Sequence, residues 1–119
     1  MNQQVKARLE EADEHFNLAK EELCKPEEDV VPYQICQKSY YSVAGYLSGF
    51  ILRKGETVQE SASIEDLIKR CREIDDRFHE LHLAPLYHPT ATEDVWMNLD
   101  AAHDFLAIAE KTRQMVVET

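Results

Sequence analysis

Between Pro32 and Gly55 the chain reads PYQICQKSYYSVAGYLSGFILRKG, a stretch that is apolar on more than one side when wound as a helix. Its main stripe is Cys36, Tyr40, Val43, Ala44, Leu47, Phe50 and Ile51, while Ile35, Tyr41, Tyr46 and Leu52 fall outside it. Such a helix needs cover from several directions, so it is either central in a bundle or shared with another subunit. Its limits can be read as well. Pro32 suits the first helical turn, where its N–H would be unpaired anyway, and Gly55 supplies a left-handed stop behind the cations Arg53 and Lys54. The small residues Ser39, Gly45, Ser48 and Gly49 permit close helix approach, within the chain or across subunits.

Three further segments carry helical periodicity. Val5, Leu9, Ala12, Phe16, Ala19 and Leu23 form one seam, which Lys25-Pro26 ends because the residue before a proline is pushed out of the α region. An acidic linker, Pro26 to Val31, leads to the second helix. Ser63 then stands as an N-cap before the acids Glu65 and Asp66, and Ile64, Leu67, Ile68, Cys71, Ile74, Phe78 and Leu81 trace a third helix expected to reach Ala84-Pro85. Signals at Thr90, Thr92 and Glu93 open a fourth, with a seam of Val95, Leu99, Ala102, Leu106, Ala109 and Val116 flanked by Trp96 and Phe105. Short connections between such segments predict an all-α, up-and-down antiparallel four-helix bundle forming a single domain over 1–119. Three glycines and four prolines in 119 residues agree with few, long elements.

The formal net charge of -10 repels nucleic acid and anionic membrane, so any RNA contact must come from a local basic patch, and no DNA partner is expected. Lys69, Arg70, Arg72 and Arg77 are the best such cluster, although such a charge run is more often the solvated face of a helix. No apolar run approaches the roughly 20 residues needed to span a bilayer, and the start, MNQQVKARLEEADEHF, lacks the layout of a secretory signal. A cytoplasmic protein without membrane contact is expected. Cys24, Cys36 and Cys71 are odd in number and widely spaced, which suggests buried core thiols in a reducing compartment and no disulfide framework. Gly45, Gly49 and Gly55 fall within or at the end of one helix, so no glycine-rich phosphate loop exists and no cofactor is implied.

The stretch RFHELH, Arg77 to His82, admits several readings. As one turn of helix it needs no special chemistry: Glu73 and Arg77 pair at i,i+4, Phe78 and Leu81 enter the core, and His82 faces the negative helix end. Asp75, His79 and His82 would share a helix face, and His88 or His103 would add a fourth metal ligand. HELH lacks the i,i+4 histidine pair of HExxH, however, and no metal site is expected. Tyr33, Tyr40, Tyr41 and Tyr46 either stack a base or pack at the core and its rim.

The pattern of Ala12 with Phe16-Asn17-Leu18-Ala19, the helix CQKSYYSVAGYLSGFILRKG and the opening SIEDLIKRC resemble the HEPN domains (higher eukaryotes and prokaryotes nucleotide-binding), and the likeness covers nearly the whole chain. The resemblance implies a helical bundle that commonly pairs as a homodimer. Many members are metal-independent RNases with an arginine and a histidine at short spacing, which Arg77 with His82 satisfies as R-x4-H, and Arg72 with His79 less attractively. The histidine would act as acid or base while the arginine holds the phosphate. On a continuous helix those two side chains point about 140° apart, so they meet only if the helix breaks or a second copy contributes. Here serine replaces the family's histidine before the third helix, and Phe78 stands where a polar residue usually follows the arginine. Leu86-Tyr87-His88-Pro89-Thr90 resembles the Tyr-Pro region of a different subset, in which the catalytic motif is absent.

The favoured expectation is therefore a non-catalytic or weakly active binding module. It would handle nucleotide or RNA through Arg72, Arg77 and His88, or pair with a nucleotidyltransferase-type or antitoxin partner. The alternatives are a toxin-type endoribonuclease using Arg77 and His82, and an interaction module without a nucleotide ligand.

Overall fold

The structure, a computed structural model, describes residues 3–87 and 98–117. It is all-helical, with four α-helices and no strand among the described residues: α1 (Gln3–Leu23), α2 (Pro32–Arg53), α3 (Ile64–Ile74) and α4 (Leu99–Val117). None is long and apolar enough to cross a membrane.

The central position falls to α2. Ile35, Cys36, Val43, Tyr46, Leu47, Phe50 and Ile51 are all buried, and α1, α3 and α4 supply the cover. Ile35 and Tyr46, which lie outside the main sequence stripe, are thus covered by the chain itself, and Tyr41 is the large side chain left exposed. Close approach to α1 needs the two glycines. A Cβ on Gly45 would lie 2.8 Å from that of Ala12, and one on Gly49 would collide with Leu9. At Gly45, where the Ala12 Cβ cannot rotate away, the added methyl costs about 1–3 kcal/mol, whereas at Gly49 the end of the Leu9 side chain can move.

Local signals set most helix boundaries. Pro32 occupies the first turn of α2, whose last carbonyls are closed by Gly55 N–H to Leu52 O and Glu56 N–H to Ile51 O, with Gly55 at φ 84°. That is the Schellman arrangement, and the left-handed φ favours glycine. Glu22, near the end of α1, accepts the Val31 N–H just ahead of α2 and also pairs with Lys25, so its carboxyl is held below the usual glutamate range. Ser63 and Asp66 exchange side-chain and backbone hydrogen bonds in a complete capping box. Asn98 Oδ1 accepts the Asp100 N–H at 2.7 Å and caps α4; the expected signals at Thr90, Thr92 and Glu93 lie outside the described residues, as do Val95 and Trp96.

Three expectations are corrected. In α4 the buried line is Ala102, Phe105, Ala109, Thr112 and Val116, so Phe105 is core and Leu106 only half-buried. Cys24 follows the last residue of α1 and is exposed, whereas Cys36 and Cys71 are buried, with thiols that burial pushes up to about 11 and about 12. The third helix stops at Ile74, well short of Ala84.

That early stop reshapes RFHELH. Asp75 is extended, at φ −144° and ψ 116°, and residues Asp76–Glu80 form a short 3-10 turn. Leu81 is extended, at φ −87° and ψ 125°, and Leu81 and Leu83 are buried while His82 between them is exposed. Phe78 is buried against Phe50, with ring centroids 4.6 Å apart. Ala84-Pro85 opens another 3-10 turn and does not close a helix.

Candidate functional site

The segment between α3 and the 84–86 turn carries Arg77, His79 and His82, and Asp75 organises it. Its Oδ1 accepts the Arg77 backbone N–H at 3.0 Å, capping the 3-10 turn, while the Arg77 guanidinium reaches both carboxylate oxygens, with Nη2 2.7 Å from Oδ2. These bonds from the Arg77 side chain and backbone hold the Asp75 carboxyl down to about 2 and raise the guanidinium further. The i,i+4 pair expected between Glu73 and Arg77 gives way to this one, and Glu73 instead meets Arg70, which also grips Glu56.

Arg72 turns inward along the chain. Its Nη2 donates to Leu81 O at 2.8 Å and its Nε to Phe78 O at 3.4 Å, the latter a carbonyl that also accepts the Leu81 N–H closing the 3-10 turn. Arg72 therefore clamps the irregular segment to α3, a role invisible until the turn is known. His79 and His82 project outward. Among the described residues no three His, Cys, Asp or Glu side chains gather as a metal ion requires, and Asp75, His79 and His82 no longer share a helix face. His88 lies outside the described residues.

Arg77 and His82 line two adjoining surface depressions that share Glu80 and Lys111. Lys111 Nζ donates to Glu80 O at 3.1 Å and thereby fastens α4 beneath the turn. The result is an exposed patch carrying Arg77, Lys111 and His82, with the acids Glu80 and Asp75 beside them. It can offer hydrogen-bond donors to a phosphate, and it holds a histidine within the same surface.

A larger cleft, about 430 Å³, lies elsewhere, between α1, α2 and the 58–62 loop. Arg8, Glu11 and His15 come from α1, Tyr41 and Ser48 from α2, and Glu60 from the loop. The Tyr41 ring lies 5.6 Å from the His15 ring, and His15 Nδ1 is 3.0 Å from Glu11 O. Sequence spacing could not join these residues, because the contributing segments are brought together only by packing.

A third cluster is structural. Tyr46 is fully buried and its hydroxyl donates to Asp13, which also meets Arg113 Nε at 3.2 Å, so α1, α2 and α4 are joined by one polar network. Burial first, and then the Asp13 carboxylate, raise the Tyr46 hydroxyl well above the ordinary tyrosine range. No family model, no characterised protein and no solved structure matches the chain.

Proposed function

We propose that this chain is a HEPN-like binding module, built as an up-and-down antiparallel bundle, that holds the phosphate of a nucleotide or RNA on the Arg77–Lys111–His82 patch without cleaving it. The observation that carries the reading is the state of Arg77. Its guanidinium is exposed yet held by Asp75, so it is positioned to share a donor with an incoming phosphate. Contacts that pair the start of α2 with the end of α1, and the Arg53 guanidinium with Val116 O, support the up-and-down order.

The test is a fluorescence titration of labelled single-stranded RNA at low salt. Saturable binding is expected, weakened severalfold by Arg77→Ala and by Lys111→Ala, each with a shallower salt dependence. Unchanged binding in both variants contradicts the patch. A nucleotidyltransferase-type or antitoxin protein remains the partner that the resemblance implies, and a homodimer belongs to the same reading.

The second reading is a metal-independent RNase. One observation favours it: the helix break at Asp75 removes the helical separation of Arg77 and His82 and lays them on adjoining depressions. The Asp75 pair weighs against it, because that carboxylate offsets part of the guanidinium charge needed to stabilise the developing anion.

A further inference from the structure

The cleft between α1, α2 and the 58–62 loop has a chemistry unlike that of the Arg77 patch. Glu11 stands on α1 and Glu60 on the facing loop, and neither carboxylate makes an ion pair among the described residues. The Tyr41 ring at the rim is 47% exposed and is steadied by His15 at 5.6 Å. In the floor, Ser48 is 4% exposed, and its hydroxyl makes no hydrogen bond among the described residues. Among the described residues Arg8 is the one arginine or lysine lining the cleft, and His15 lies beside Tyr41.

From this arrangement we infer that the cleft is a binding site for a small organic cation, a primary amine or guanidine on a short hydrocarbon body. Two carboxylates on opposite walls neutralise such a head from both sides. The open face of Tyr41 receives a cation through its ring quadrupole, and the Ser48 hydroxyl accepts one further N–H. Val58, Ala62 and Leu67 give the hydrocarbon body apolar contact. The volume is in the range of small-ligand sites, and the chain's net charge of -10 draws cations toward it. A nucleotide phosphate fits worse, since Arg8 would hold it beside two carboxylates that repel it. Arg8 instead marks where a carboxylate would rest if the ligand carries one. The site is separate from the Arg77 patch and does not depend on how that patch is read.

The test is calorimetric titration of the full chain with agmatine and with 1,5-diaminopentane, and with adenosine monophosphate as the anionic probe. One-to-one saturable binding of an amine is expected. Glu11→Gln, Glu60→Gln and Tyr41→Ala should each weaken it roughly threefold to tenfold, and Arg8→Ala should leave it as tight or tighter. Circular dichroism of each variant separates a lost site from a lost fold, and these three side chains are exposed. No saturation by roughly 10 mM amine overturns the proposal. So does affinity unchanged from the parent chain in both glutamine variants, which is diffuse counterion attraction. Binding of adenosine monophosphate that Arg8→Ala removes makes the cleft an anion site and overturns it too. Retention of a lysine-rich peptide with no uptake of free amine does the same, because the occupant is then a partner protein.

Discussion

Asp75 accepts the Arg77 amide and, through both carboxylate oxygens, the Arg77 guanidinium. Its folded carboxyl titrates near about 2, below the roughly 4 of a free aspartate. A depressed carboxyl contributes stability that is present above the unfolded value and is lost as pH falls through the folded one. Asp75→Asn should therefore lower stability at neutral pH, with the difference from the parent shrinking between about pH 4 and pH 2. Urea melts across that range measure it, and a constant difference at every pH contradicts the assignment. Glu22 has the same sign: its hydrogen bond from Val31 N–H and its Lys25 pair weaken once the carboxyl protonates. The Asp75 pairing was hidden in the sequence because Ile74, Phe78 and Leu81 keep helical spacing across it. Those residues are apolar for the core, but Phe78 reaches it from a 3-10 turn and Leu81 from extended chain.

The elements whose boundaries rest on local chemistry were legible from residues alone. Pro32, Gly55 and Ser63 act within a few residues of themselves, so their signals survive any tertiary arrangement. What the sequence could not show depends on neighbours distant along the chain. The Arg72 clamp needs the carbonyls of Phe78 and Leu81 turned back toward α3, and the cleft needs α1 beside α2 and a loop folded over both. Two variants separate these roles. Arg72→Ala should cost about 1.5–3 kcal/mol, the range for charged hydrogen bonds, whereas exposed Arg77→Ala should stay within about 0.5 kcal/mol. Chemical denaturation compares them, and equal losses contradict a structural role confined to Arg72. Gly45→Ala should destabilise by about 1–3 kcal/mol through the Ala12 contact, and an unchanged melting midpoint would show that α1 gives way freely.

At the scale of the whole molecule, α2 is surrounded by α1, α3 and α4, and this accounts within the chain for much of the apolar surface that suggested a partner. A homodimer stands as part of the proposed function, to be checked by light scattering. A mass above the 13.8 kDa of one chain is expected, and 13.8 kDa at every concentration removes any site composed from two copies. The basic patch around Arg77 is small against a net charge of -10, so its RNA affinity should be weak, with the shallow salt dependence of a site holding few cations. The central distinction is between holding a phosphate and breaking its ester. Total RNA incubated with the purified chain in EDTA, beside Arg77→Ala and His82→Ala, and resolved on a denaturing gel, tests it most directly. RNA left intact by all three proteins is the expected result; cleavage by the parent chain that both substitutions abolish would contradict it and make RFHELH a catalytic motif.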